Sequence, residues 1–130
     1  MIKTNKHSSI VKVSDLLQVI APEPRLEILL AIGKSEACVC HLKALLGYRQ
    51  AYISQHLMEM REAGLLDSRR NGKYIFYHLA KPEILGLLQN AAKIAGVDLV
   101  KLEPARQEKQ CDCPHCVPAI PTPLLAEHAN

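Results

Sequence analysis

Residues 35–79 read SEACVCHLKALLGYRQAYISQHLMEMREAGLLDSRRNGKYIFYHL, and their glycine and Asn-Gly punctuation leaves few folds open. Gly47 closes a short helix over about 39–46, since glycine takes the left-handed conformation past a helix end at little cost. A second helix over about 50–63 carries Ile53, Leu57 and Met60 on one stripe and is capped by Gly64. Residues 66–70 and 74–79 alternate as strands around Asn71-Gly72, the strongest short hairpin signal. The segment is therefore helix, turn, helix, hairpin.

Ahead of it, Ile10, Val13, Leu16, Leu17 and Ile20 recur at helical spacing over residues 10–20. A further helix starts near Pro22–Pro24, runs through Arg25–Ile32 and stops at Gly33. After the hairpin, a last helix begins near Pro82 with Ile84, Leu87, Leu88, Ala91 and Ile94, and extends in weaker form toward Leu102. This order predicts a mainly α fold with a β-hairpin wing, a winged helix-turn-helix. At 130 residues the chain has room for one domain and a tail. With 48% hydrophobic residues, no Trp and one Phe, the core has to be aliphatic. Beyond Glu103 the composition turns polar (EPARQEKQ) and then proline-rich (VPAIPTPLL). The expected division is a winged helix-turn-helix domain over 1–102 and a Cys-rich, Pro-rich tail over 103–130, extended apart from CDCPHC.

Function follows from where charge and polarity fall. Gln50, Ala51, Tyr52, Ser54 and Gln55 form the outer face at the start of the fourth helix, where a recognition helix meets base edges. Gln pairs bidentately with adenine, and Ser reaches several bases. Arg69, Arg70 and Lys73 at the hairpin tip suit phosphate or minor-groove contacts, with Arg49 and Arg61 nearby. Each motif alone also describes an ordinary solvated surface; their combination points to double-stranded DNA. His56 is expected beside DNA or core rather than on a metal. The net charge of +3 does not by itself argue for nucleic acid. The chain contains no apolar run of membrane-span length and no apolar signal core near its start, so a cytoplasmic protein is expected. An enzyme with a small-molecule substrate is not expected, since neither a nucleophile–base arrangement nor a phosphate loop stands out.

Five cysteines in two tight groups, Cys38/Cys40 and Cys111/Cys113/Cys116, do not form a disulfide framework in a reduced compartment. Such clusters bind metal or do redox chemistry.

The runs PRLEILLAI, CVCHL, YISQHLMEMREAGLL and RRNGKYIFYHL together resemble the ArsR/SmtB family of metal-responsive repressors over roughly residues 12–95. The resemblance implies a homodimer joined mainly by its first and last helices, which binds an operator when inducer is absent and releases it when loaded. It places operator contacts on Gln50, Ala51, Ser54 and Gln55, with Ala51 where Ser is common. The stretch Glu36-Ala37-Cys38-Val39-Cys40-His41-Leu42 resembles the family's arsenic and cadmium/lead inducer box, ELCVCDL.

Thiolates select soft ions, so As(III), Cd(II) or Pb(II) is the expected inducer, with Bi(III) and Cu(I) in the same class. Lys43 stands where some arsenic sensors carry a third Cys, and residues 1–20 contain none. A three-thiolate site must then recruit the tail, Cys111-Asp112-Cys113-Pro114-His115-Cys116, from about nine residues past Leu102, a reach of roughly 30 Å. The bland alternatives are two thiols packing a helix start, and a tail that binds metal without signalling. The family's interhelical zinc site is expected to be absent, because the last helix carries one Glu and no His. Two other functions stay open: a thiol-based redox-sensing repressor, and a constitutive DNA-binding protein whose tail docks a partner.

Overall fold

Proline and glycine set most element boundaries in the computed structural model, which describes residues 4–98. The order is α1 (Thr4–Ile20), α2 (Glu23–Ile32), β1 (Ala37–Cys38), α3 (Val39–Leu46), α4 (Gln50–Glu62), β2 (Leu66–Asn71), β3 (Tyr74–Leu79) and α5 (Glu83–Ala95). α2 starts after Pro22 with Pro24 in its first turn, where a missing N–H removes no hydrogen bond. α4 ends as expected at Gly64. The Gly64 N–H donates to the Arg61 carbonyl and the Leu65 N–H to the Met60 carbonyl, each at 2.9 Å. That paired closure needs a left-handed residue, and Gly64 has φ +82°.

The wing turn falls one residue later than the Asn-Gly signal suggests. Asn71 is still paired, opposite Tyr74, so the two-residue loop is Gly72-Lys73. Gly72 has φ +67°, and among the described residues none but glycine has a positive φ. This is the pattern of a type II′ turn with Gly first; an Asn-Gly type I′ turn would need positive φ at both loop residues.

α5 also stops earlier than the predicted weak extension toward Leu102. The Gly96 N–H donates to the Lys93 carbonyl and the Val97 N–H to the Ala92 carbonyl, which closes the helix at Ala95. The predicted tail, with Cys111, Cys113, Cys116 and His115, lies outside the described residues, as does the 102/103 domain boundary.

The wing has a third strand that periodicity could not reveal. Two-residue β1 pairs antiparallel with β3, Ala37 opposite Tyr77 and Cys38 opposite Phe76, giving the sheet order β1-β3-β2. Ile28, Leu29, Leu42, Ile53, Leu57 and Met60 are wholly buried at the centre of an aliphatic core that joins α2, α3 and α4. Ile84 and Leu88 of α5 and Ile20 of α1 close it. A smaller cluster gathers Cys38 and Phe76, with Cys40, Ala44 and Tyr74 packed against them.

The outer helices bury only part of their apolar stripes. Of the α1 stripe only Ile20 is buried, while Ile10, Val13 and Leu17 face outward. On α5, Ala91 is exposed and Ile94 is 88% exposed. The apolar spacing of both helices is therefore not accounted for by the core that the described residues form.

Candidate nucleic-acid interface and thiol box

α3, the turn Gly47-Tyr48-Arg49 and α4 form the helix-turn-helix. The turn holds because Gly47 takes the left-handed conformation and donates its N–H to the Lys43 carbonyl, while the Tyr48 hydroxyl donates to the Glu27 carboxylate on α2. That hydrogen bond, followed by burial, pushes the Tyr48 pKa up to about 12. α4 starts at Gln50 with no side-chain cap. Gln50, Ala51, Tyr52 and Gln55 are exposed and Ser54 is half-buried, so the outer face begins as the sequence suggests. Gln55 is partly committed. Its amide donates to Glu59 Oε2 at 2.7 Å, and this bond is the first cause of a Glu59 pKa held below the usual carboxylate range.

Beneath this face lies a polar network that sequence reasoning missed. Arg25, only 9% exposed, sits on the buried side of α2 with Ile28, Leu29 and Ile32. Its Nε donates to His56 Nδ1 at 2.9 Å, Nη1 donates to the Val19 carbonyl at 3.1 Å, and Nη2 pairs with Glu59. His56 is therefore on the core side of α4. Because Nδ1 accepts, the proton sits on Nε2, which is buried with no hydrogen-bond partner among the described residues. Burial, then the Arg25 charge, lowers the His56 pKa. The available signal was a cation at the 25/28/29/32 spacing of an otherwise apolar helix face.

The wing cations divide into two kinds. Arg70 and Lys73 are exposed at the tip, with Arg70 Nη1 3.4 Å from the Gly72 carbonyl and Lys73 Nζ 5.5 Å from the centre of the Tyr74 ring. Arg69 is also exposed, but its side chain is committed along the sheet. It makes a two-pronged ion pair with Glu36, Nε to Oε2 at 3.0 Å, and lies 4.7 Å over the Phe76 ring. Glu36 is the first cause of a further rise in its pKa.

The two box thiols differ. Cys38 is the N-cap of α3: it is 2% exposed, and its sulfur accepts the His41 N–H at 3.3 Å. Cys40 is half-buried and disulfide-bonded. Both sulfurs belong to the small cluster around Phe76. Among the described residues no three His, Cys, Asp or Glu side chains converge on a metal-sized site. With Cys40 reduced, Cys38 and Cys40 supply at most two ligands of a soft-ion site among the described residues.

The family model described as bacterial regulatory protein, arsR family, matches residues 22–68, which runs from the start of α2 into β2. The chain is 38% identical over 78 residues to the biofilm growth-associated repressor of Agrobacterium fabrum, covering 60% of this chain and 67% of that protein. The chain belongs to the ArsR family.

As a member of that family it is a DNA-binding transcriptional regulator of winged helix-turn-helix fold. It is also 42% identical over 66 residues to the arsenical resistance operon repressor of Escherichia coli, covering half of this chain and 56% of that one. The matched stretch thus spans little more than half to two thirds of these relatives' length. Among solved structures, NolR from Sinorhizobium fredii superposes with a TM-score of 0.65 at 29% identity, over 72% of this chain and 93% of NolR. Among the described residues, no helix of this ArsR-family chain is long and apolar enough to cross a membrane.

Proposed function

We propose that this chain is a homodimeric, operator-binding repressor that a thiophilic ion, As(III), Cd(II) or Pb(II), releases from DNA. The observation that carries the reading is that one sulfur both caps and could ligate. Cys38 accepts one of the orphan N–H groups at the start of α3, that of His41, and α3 packs directly on the recognition helix α4. In this reading the Cys38 thiol loses its proton on binding a soft ion, and the ion draws the sulfur out of its capping position at His41 N–H. The α3 start then loses its cap, and a change at the ion site reaches the element that reads DNA. The similarity to an arsenical resistance repressor supports the inducer class.

In the ion-absent form, Gln50 and Ala51 meet base edges, with Ser54 and Gln55 further along the helix. Arg70 and Lys73 hold phosphates, while Arg69 acts on the wing itself. The exposed apolar residues Ile10, Val13 and Leu17 on α1 and Ile94 on α5 supply the dimer surface. Cys111, Cys113 or Cys116 completes the ion's coordination. The protein works in the cytoplasm and has no catalytic role.

The test is operator binding by the reduced full-length protein against arsenite, Cd(II) and Pb(II), with thiolate charge-transfer absorption followed in parallel. Release coincident with the absorption band is the expected result; operator affinity indifferent to every ion would sink the reading. One observation favours a second reading: Cys40 is disulfide-bonded. A redox-sensing repressor would form that bond by losing two protons and two electrons from two thiols to an oxidant such as a peroxide. It would release DNA on oxidation alone, with no ion present.

A further inference from the structure

Glu36, Cys38, Phe76 and Arg69 form a row across one face of the sheet. Cys38 on β1 and Arg69 on β2 are both directly opposite Phe76 of the central strand β3. Directly opposite residues share a face of a sheet, and Glu36, two residues before Cys38, follows the same alternation. The side chains bear this out. Cys38 and Phe76 share one buried cluster, the Arg69 guanidinium lies over the Phe76 ring, and Glu36 grips Arg69 with both carboxylate oxygens. A bridge 33 residues long in sequence therefore runs from the inducer box to the wing.

From this row we infer that Glu36 and Arg69 are positioning residues: their ion pair is the strut through which the thiol box sets the wing. The inference rests on the ion-released repressor reading above. While Cys38 caps α3, β1 stays paired to β3 and the strut holds β2, whose next residue is the tip cation Arg70. The β2–β3 ribbon is then fixed at the angle where Arg70 and Lys73 meet phosphates. When Cys38 turns to an ion, β1 moves with it, and Glu36, two residues away, gives up the guanidinium. The ion-loaded form has no strut, so the wing must be ordered anew on DNA. The strut gives the two forms the unequal DNA affinity that allosteric release requires.

The test uses the reduced full-length protein and a duplex that the wild type selects from a random-sequence pool, with arsenite and Cd(II) as probe ions. Glu36→Gln should lower operator affinity of the ion-absent protein by up to about fivefold, the upper range for a solvent-accessible pair. It should leave the affinity of the ion-loaded protein unchanged, so the release factor shrinks by the same ratio. By linkage, the factor by which operator weakens ion binding shrinks equally. Arg69→Gln should do the same, and the double variant should be no worse than either single, as for two halves of one contact. Should Glu36→Gln fold poorly by circular dichroism, Glu36→Asp keeps the charge but loses the reach. Tighter operator binding by the Glu36 variant would mean that Arg69 is a phosphate contact held in reserve, and would overturn the strut. An unchanged release factor would overturn it too, with the repressor reading intact. A wild type released by neither ion would defeat both, and that outcome is read before any variant is made.

Discussion

Replacing Arg25 by Met keeps the aliphatic stem in the α2 core and deletes only the guanidinium. The loss is set by what that group leaves behind. His56 Nδ1, 2.9 Å from Nε, and the Val19 carbonyl, 3.1 Å from Nη1, each lose their donor. His56 then has no partner on either ring nitrogen, because Nε2 already has none among the described residues. An unsatisfied buried polar group costs about 1–3 kcal/mol, so two such groups, neither at the deepest point of the core, should cost about 3 kcal/mol together. Glu59 is 41% exposed and turns to water, so it adds little. For an ordered unit of this size that loss corresponds to a fall in Tm of about 15 °C. The assay is thermal unfolding by circular dichroism at one fixed protein concentration, since dimerisation makes Tm concentration-dependent. Replacing the whole network, Arg25→Met with His56→Leu and Glu59→Gln, should recover most of the loss, because no orphaned group remains. A single variant within about 0.5 kcal/mol of wild type, the range of an ordinary surface substitution, would refute the assignment of Arg25 as the anchor of α4. So would a triple variant no better than the single.

The recognition helix and the wing should fail differently. Gln50→Ala should cost about 1–3 kcal/mol on the selected operator and relax base preference. Arg70→Ala should weaken all duplexes alike and lower the salt slope by about one, and equal uniform losses in anisotropy titrations would contradict this division. Cys38→Ser should keep a well-capped α3, since Ser is a strong N-cap residue, and bind operator while ignoring the ions; Cys40→Ser should also lose the response. Induction retained in the double variant would remove the box from the mechanism. His56 makes stability fall on acidification. Its pKa is lowered in the fold, so above the unfolded value of 6.5 it is neutral in both states and contributes no slope. As pH drops below 6.5 the unfolded chain takes up a proton that the fold refuses, and stability declines until the folded-state pKa is passed. His56→Leu in the triple background should flatten Tm against pH in that window.

How much of this was legible depends on the range over which each signal acts. Gly47, Gly64 and the hairpin are local, and the helix-turn-helix and wing came out of them with one shift: the turn took Gly72-Lys73 because a Gly-first turn needs positive φ at only one residue. β1 was not legible, because two residues carry no period and its pairing with β3 joins positions nearly forty residues apart. The apolar stripes of α1 and α5 are helical as their spacing predicts, but Ile10, Val13, Leu17 and Ile94 are exposed because the described residues of one chain do not cover them. Within the site, Gln50 and Ala51 were placed by helix geometry alone. Arg69 looked the same as Arg70 in sequence; only the distant Glu36 and Phe76 distinguish them. Arg25 was passed over inside its apolar helix for the same reason, since its partners lie on α4.

The chain has four tyrosines and no tryptophan, and the positions of those tyrosines give it an optical property. Tyr48 and Tyr52 stand at the turn and on α4 with ring centres 5.1 Å apart, and Tyr74 and Tyr77 are on β3. None lies on α1 or α5. Intrinsic emission therefore comes wholly from the half of the molecule that reads DNA, while the outer helices are dark. Tyr48 is the dim member, its hydroxyl bound to the Glu27 carboxylate, and the exposed Tyr52 is the one that a base or sugar can cover. Operator binding should change the emission without any label, and dimer dissociation in the absence of DNA should leave it nearly constant. The protein carries its own probe for separating these two events.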